Sequence, residues 1–216
     1  MRRVLFLVAA ALALGTAATA RAQSLTTGPY AQFQTGLTAG STVGALFGGE
    51  GGLSTNTFDV FFEGGHMTNT KSSDMDAAAA AIAGDLTTPG NTVTYEARQP
   101  INYFDVGFWY KLPTTGRFGR WQPYAGLGIG SAGVTRETTY AINGSDVTGQ
   151  LPQMGVQLGG DLQGDERGFF FMLGGGARLG FGERLFVDVS YRYGHVSLDS
   201  TGVNTNRIQF GIGAHF

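Results

Sequence analysis

Arg207-Ile208-Gln209-Phe210-Gly211-Ile212-Gly213-Ala214-His215-Phe216 closes the chain, and its reading decides the fold. Ile208, Phe210, Ile212, Ala214 and Phe216 share one parity, and Arg207, Gln209, Gly211, Gly213 and His215 share the other. Alternate residues of a strand point to opposite faces, so this segment is a strand with one greasy face and one small or polar face.

The pattern repeats upstream. Phe169, Phe171, Leu173, Ala177 and Leu179 alternate with Met172, Gly174, Gly176 and Arg178. Leu185, Val187, Val189, Tyr191 and Tyr193 alternate with Phe186, Asp188, Ser190 and Arg192, and Phe104, Val106, Phe108, Tyr110 and Leu112 with Tyr103, Asp105, Gly107, Trp109 and Lys111. Ala125, Leu127 and Ile129 alternate with three glycines, and Phe58, Val60 and Phe62 with Asp59, Phe61 and Glu63. Two glycine-rich strands, Gly28 to Ala39 and Ala45 to Leu53, complete a set of eight. Short turns at Ser54-Thr55-Asn56, Pro113 to Arg120 and Gly182-Glu183 separate longer connections at Lys71 to Ala97 and Ala141 to Asp165. Short and long links in alternation are the wiring of an up-and-down membrane barrel, with short turns in the periplasm and long loops outside.

Composition narrows the class. Glycine supplies 36 of 216 residues, 14% are charged and there is no cysteine. Six prolines and no Gly-X-Y period exclude collagen; zero cysteines exclude a disulfide framework, Cys-ligated zinc and a thiol nucleophile. Sixteen Phe, eight Tyr and two Trp exclude disorder, and a net charge of -2 argues against nucleic acid. A soluble lipocalin-like barrel or sandwich would leave a wall of glycine and arginine facing water. In a membrane barrel the greasy face meets lipid and the other face fills a narrow lumen, which accounts for both. The expected fold is therefore all-β, a closed eight-stranded antiparallel up-and-down transmembrane barrel. Its strands must close, because unpaired backbone groups in hydrocarbon cost several kcal/mol each.

Residues 1–22 read as a signal peptide. Arg2 and Arg3 precede an apolar run from Val4 to Leu14, and Ala20-Arg21-Ala22 is an A-x-A cleavage pattern. Eleven apolar residues are too few for a membrane helix, which needs about 20. Sec export is expected over a twin-arginine route, since no folded cofactor domain follows. With Arg2, Arg3 and Arg21 removed, 11 of the 14 basic residues face 16 acidic ones, a balance of -5. Residues 23–216 then form one barrel domain.

Pro123-Tyr124-Ala125-Gly126-Leu127-Gly128-Ile129-Gly130, Tyr191-Arg192-Tyr193 and the alternating end at Phe216 resemble the small Gram-negative outer-membrane barrels of the outer membrane protein A and opacity-type superfamily. The resemblance covers the mature chain, most clearly from Asn102 onward, and implies an outer-membrane location. It implies that Ile208, Phe210, Ile212 and Phe216 form the signal read by the barrel-assembly machinery. Since the chain stops at Phe216, no periplasmic peptidoglycan-binding domain is expected. Lipopolysaccharide, the assembly machinery and an extracellular partner at the outer loops are the expected partners of a monomeric barrel.

Four constellations bear on function. Glu50, Asp59, Glu63, Asp105 and Asp188 share the inward parity with Lys111, Arg178, Arg192 and Arg207. They suit a gated ion path or a plug of neutralised charge, and the narrow lumen of eight strands favours the plug. His195 and Ser197, on the lipid-facing parity, resemble the His-x-Ser of outer-membrane lipid A deacylases. A serine hydrolase also wants an acid to orient its histidine, and here Leu198 follows the serine and the next strand offers Gln209. Asp161, Asp165 and Glu166 form an acidic loop without EF-hand spacing, and Asp74 and Asp76 another. Asp74 to Gly84 reads as a short helix capped by Ser73 or Asp74, marginal by itself. Asn143-Gly144-Ser145 reads as a turn. No catalytic, metal or cofactor site is expected. The expected role is a structural or adhesin-like surface protein with a plugged lumen, against a narrow channel or small porin and a His195/Ser197 hydrolase. Asp74, Asp76, Asp85, Glu96, Asp146, Asp161 and Asp165 against Lys71 would make the outer loops acidic and favour cationic partners.

Overall fold

Residues 27–40, 42–113, 121–199 and 202–216 are described by the computed structural model. The expected signal segment 1–22 and residues 114–120 of the third short turn lie outside the described residues. Alternation yields ten strands, β1 (Gly28–Ala39), β2 (Gly44–Ser54), β3 (Phe58–Met67), β4 (Val93–Arg98), β5 (Ile101–Lys111), β6 (Trp121–Ile142), β7 (Ser145–Asp146), β8 (Gly164–Phe181), β9 (Leu185–Ser197) and β10 (Val203–His215). A helix α1 (Ser73–Leu86) precedes β4, and a 3-10 turn (Thr148–Met154) follows β7.

Eight strands pair antiparallel in a ring, β1-β2-β3-β5-β6-β8-β9-β10, and β10 returns to β1 in register from Tyr30↔His215 to Ala39↔Asn206. The expected eight-stranded up-and-down barrel is present, its two glycine-rich strands included. The strands run from 10 residues in β3 to 13 in β9 and β10, except β6 and β8 at 22 and 18. About 9–11 tilted residues cross a bilayer core, so β6 and β8 rise well above it. The outward face is apolar and bare, with Phe33, Phe62, Phe108, Phe169, Phe210 and Ile212 each about half exposed or more.

Glycine does more here than vacate the lumen. A Cβ on Gly126 or Gly130 would lie 1.9 Å from the carbonyl oxygen of Phe108 or Phe104 on β5. The neighbouring backbone occupies the space that a side chain would need, so these inward positions let a small barrel curve tightly.

At one end are the short links 55–57 and 182–184; at the other, the long connections fold into a platform. Above Val134, β6 leaves β5 and pairs instead with β4, from Arg98↔Glu137 to Val93↔Ile142, and with β7. The Asn143-Gly144 turn that joins β6 to β7 has positive φ at both residues (50° and 81°), as a two-residue hairpin demands. The helix begins and ends further out than Asp74 to Gly84, and its cap is Ser72, whose Oγ accepts the Met75 N–H at 3.1 Å. It is also not marginal. Met75 and Ala79 pack with Ala97 and Leu162, and Ala83 packs with Tyr140, Val147 and Leu151. The two connections that read as loops thus share two apolar clusters, which supply the tertiary burial that an isolated alanine helix lacks.

Candidate functional site

Inside the ring, the even residues of β2, β6, β8 and β9 and the odd residues of β3, β5 and β10 converge. All nine charged residues expected there are buried, none more than 8% exposed. Eight of them are ion-paired, and seven of these form a ladder of alternating sign. At the short-turn end, Lys111 Nζ pairs with Asp59 at 2.8 Å and donates to Ser54 Oγ at 2.7 Å. Arg178 gathers three carboxylates from three strands: Asp59, Glu50 at 2.9 Å and Asp188 at 3.3 Å. Glu50 then bridges Arg178 to Arg192, the latter at 2.9 Å. Arg192 also pairs with Glu63, which reaches Arg207 at 3.3 Å. Lys111, Asp59, Arg178, Glu50, Arg192, Glu63 and Arg207 therefore run in sequence up the lumen, with Asp188 as a branch.

Asp105 stands apart. It is wholly buried, and neither carboxylate oxygen has a hydrogen-bond partner among the described residues. Five acids thus face four bases in the lumen.

Aromatic side chains fill the space between charges, a role that sequence reading missed. Tyr30 OH donates to Glu50 at 2.8 Å, Tyr103 OH to Glu63 at 2.6 Å, Tyr124 OH to Asp188 at 2.7 Å and Trp109 Nε1 to Glu50 at 3.3 Å. The same rings carry the guanidiniums: Arg178 lies 4.7 Å from the Tyr30 centroid, Arg192 4.7 Å from Trp109 and Arg207 4.5 Å from Tyr103. Each cation is held by carboxylates at its edge and by a π-face on its flat side. The signal was present in parity, since Tyr103 and Trp109 alternate with lipid-facing Phe104 and Phe108. His215 is buried beside Tyr30 and Phe186 at the short-turn end. A lumen filled in this way can seal, and it holds the strands in one arrangement.

The outward face carries the terminal aromatic and apolar residues and His195. Phe210, Ile212 and Phe216 are exposed on the lipid face at 49%, 69% and 73%, and Ile208 lies on the same face, half-buried. His195 Nδ1 is 2.7 Å from Asn204 Oδ1, which also accepts from Tyr193 OH at 2.8 Å. Gln209 is not beside it: it pairs in register with Ser190 and is buried in the lumen. Strand alternation places odd residues of β10 inside, so the residue facing His195 on the outer surface is Asn204. A neutral amide cannot stabilise an imidazolium by charge, and among the described residues it is Asn204, not an acid, that hydrogen-bonds His195.

On the platform, Asp165 Oδ1 accepts from Thr135 Oγ1 at 2.6 Å, while Glu166 pairs with Arg136 at 3.0 Å and accepts the Asp199 N–H at 2.7 Å. Asp76 receives a 2.6 Å hydrogen bond from Lys71 that holds its carboxyl below the ordinary range, and bonds from Thr148 do the same for Asp146. Burial raises the Tyr140 hydroxyl above its usual value. Among the described residues, no group of three or more His, Asp or Glu is placed to hold a metal ion.

A family model described as outer membrane protein beta-barrel domain matches residues 6–216. No curated protein matches the chain. Solved structures do. Neisserial surface protein A aligns over 88% of this chain and 97% of its own, at 12% identity and a TM-score of 0.52. Ail, the attachment invasion locus protein of Yersinia pestis, aligns over 87% and 97%, at 11% identity and 0.42. The outer membrane enzyme PagL aligns over 86% and 99%, at 11% identity and 0.39. At such identities the likeness concerns the fold alone, and function rests on the residues of this chain.

Proposed function

The chain belongs to the outer membrane protein beta-barrel family, and on that premise we propose that it is a non-enzymatic surface protein, adhesin-like in role. The barrel is its anchor, the ion ladder seals its lumen, and the platform carries recognition. One observation carries the reading: the long connections form a folded unit with apolar clusters of its own around Met75, Ala79, Tyr140 and Leu151, while the lumen is filled with paired charge. A channel would need an open path, and a hydrolase an acid beside His195.

In this family's arrangement the short turns lie in the periplasm and the platform faces outward. There Asp74, Asp76, Asp85, Glu96, Glu137, Asp146, Asp161, Asp165, Glu166 and Asp199 stand against Lys71, Arg98, Arg136 and Arg167. Arg98, Arg136 and Arg167 are matched in number by Glu137, Glu166 and Asp199, so the platform keeps its excess of acids, ten against four bases. A cationic partner is favoured, with contacts that weaken as salt rises.

The test compares cells displaying the intact protein with cells displaying a variant whose residues 72–98 are replaced by a short flexible turn. Both proteins are checked for the heat-dependent gel shift of a folded barrel. The reading predicts that attachment to a cationic surface is lost with the platform. Equal attachment by intact, platform-less and empty cells would refute it.

A further inference from the structure

On the outward face of the barrel, just below the platform, three successive outward positions of β6 carry nothing larger than threonine: Ser131, Gly133 and Thr135. The strands on either side carry longer side chains at the same levels, and the result is a groove of about 480 Å³. Register sorts its walls into rungs. The lower rung is Phe104↔Ser131↔Phe169, apolar on both sides, and the upper rung is Asn102↔Gly133↔Arg167, polar on both sides. Thr135↔Asp165 closes the top, joined by the 2.6 Å hydrogen bond. The glycine-floored groove therefore crosses the level at which the barrel wall changes from apolar to polar.

The charges along it are uneven in availability. Arg136, the other arginine nearby, is buried and paired with Glu166 at 3.0 Å. Arg167 is exposed and has no ion-pair or hydrogen-bond partner among the described residues. Across Gly133, Asn102 Oδ1 is engaged with His66 Nδ1 at 2.8 Å, which leaves the amide N–H groups of Asn102 as donors. A guanidinium and an amide thus face each other over a floor without a side chain, with aromatic walls beneath. The Asp165 carboxylate sits one rung further out.

We infer that this groove binds an outer-leaflet glycolipid bearing a phosphate on its sugar, the lipid A moiety of lipopolysaccharide. An acyl chain lies over Ser131 between Phe104 and Phe169, and the phosphate lies between Arg167 and Asn102 as a charge-assisted hydrogen-bond acceptor. Asp165 meets sugar hydroxyls. The groove's volume falls in the range of small-molecule sites, and its depth in the membrane brings it against lipid whatever the platform recognises. This inference therefore goes beyond the surface-protein reading and fails or succeeds separately from it.

Gly133 makes the test clean, because a Cβ there meets only the Cγ of Arg167, at 3.8 Å. Gly133→Leu is thus accommodated and fills the groove from its floor. The full protein in detergent is assayed by native mass spectrometry with three probes: diphosphoryl lipid A, the same lipid without phosphate, and phosphatidylglycerol. The expected order is strongest binding of diphosphoryl lipid A, at least tenfold over either other probe. Arg167→Ala should remove that preference while keeping weak binding of the dephosphorylated lipid, Arg167→Lys should restore part of it, and Gly133→Leu should weaken both lipid A forms. All variants should keep the wild-type heat-dependent gel shift. Equal binding of the three probes, preference for phosphatidylglycerol, or lipid A binding unchanged in both Arg167→Ala and Gly133→Leu would overturn the inference.

Discussion

Replacing Arg192 by alanine attacks the ladder at its middle. The guanidinium is fully buried, joins Glu50 at 2.9 Å and Glu63, and lies over the Trp109 ring at 4.7 Å. Its removal leaves two buried carboxylates deprived of their shared cation. Each keeps another arginine, Arg178 for Glu50 at 2.9 Å and Arg207 for Glu63 at 3.3 Å, but one positive charge fewer now serves the row. Breaking a buried pair costs about 3–5 kcal/mol, and the lost stem and cation-π contact add to it. A loss near 4 kcal/mol corresponds to roughly a thousandfold in the folding equilibrium. Urea unfolding in lipid vesicles, followed through tryptophan emission, reads it directly because Trp109 stacks on the removed group. Combining Arg192→Ala with Glu63→Gln should recover part of the loss, since the second change removes one of the stranded charges. A loss under about 1 kcal/mol, or strict additivity of the two changes, would refute the ladder as the element holding the lumen together.

Asp105→Asn should be neutral or stabilising in the same assay, because its carboxylate has no hydrogen-bond partner among the described residues and is the acid in excess. Ala79→Asp places a charge in the cluster with Met75, Ala97 and Leu162 and should expose residues 72–98 to protease while the barrel keeps its heat-dependent gel shift. Lys71 lowers the Asp76 carboxyl, so its support of the helix start is present above about pH 4, the ordinary carboxylate value, and is lost as pH falls through the lower folded value; protease resistance of that segment should decline only in that acid range. Phe216→Ala should reduce the amount of assembled barrel in the outer membrane more than Ser197→Ala, and Ser197→Ala should leave the lipid A acylation pattern of overproducing cells unchanged.

Much of this architecture is legible in the sequence because a barrel has a period of two and two different solvents on its faces. Parity alone places Arg192 and Asp188 inside and Tyr191 and Val189 outside. Which acid meets which base is another matter. Arg192 reaches Glu50 across 142 positions of chain, a contact fixed by the curvature and register of the closed ring rather than by any local pattern. His195 shows the same limit, since its neighbour on β10 follows from register, and counting alone suggests Gln209. The platform was hidden for a different reason. Its apolar residues are divided between two polar connections, with Met75, Ala79 and Ala83 in one and Leu151 and Leu162 in the other, and neither connection shows a core by itself. Only the continued alternation of Val134, Arg136, Thr138 and Tyr140, all buried, betrays that β6 runs on beyond the barrel.

Planar-bilayer recording of the purified protein tests the proposed seal of the lumen most directly. The wild type should give little or no steady current, because the paired row from Lys111 to Arg207 and the rings of Trp109, Tyr103 and Tyr124 are all buried inside the ring. A stable open conductance in the nanosiemens range from the wild-type protein would contradict it.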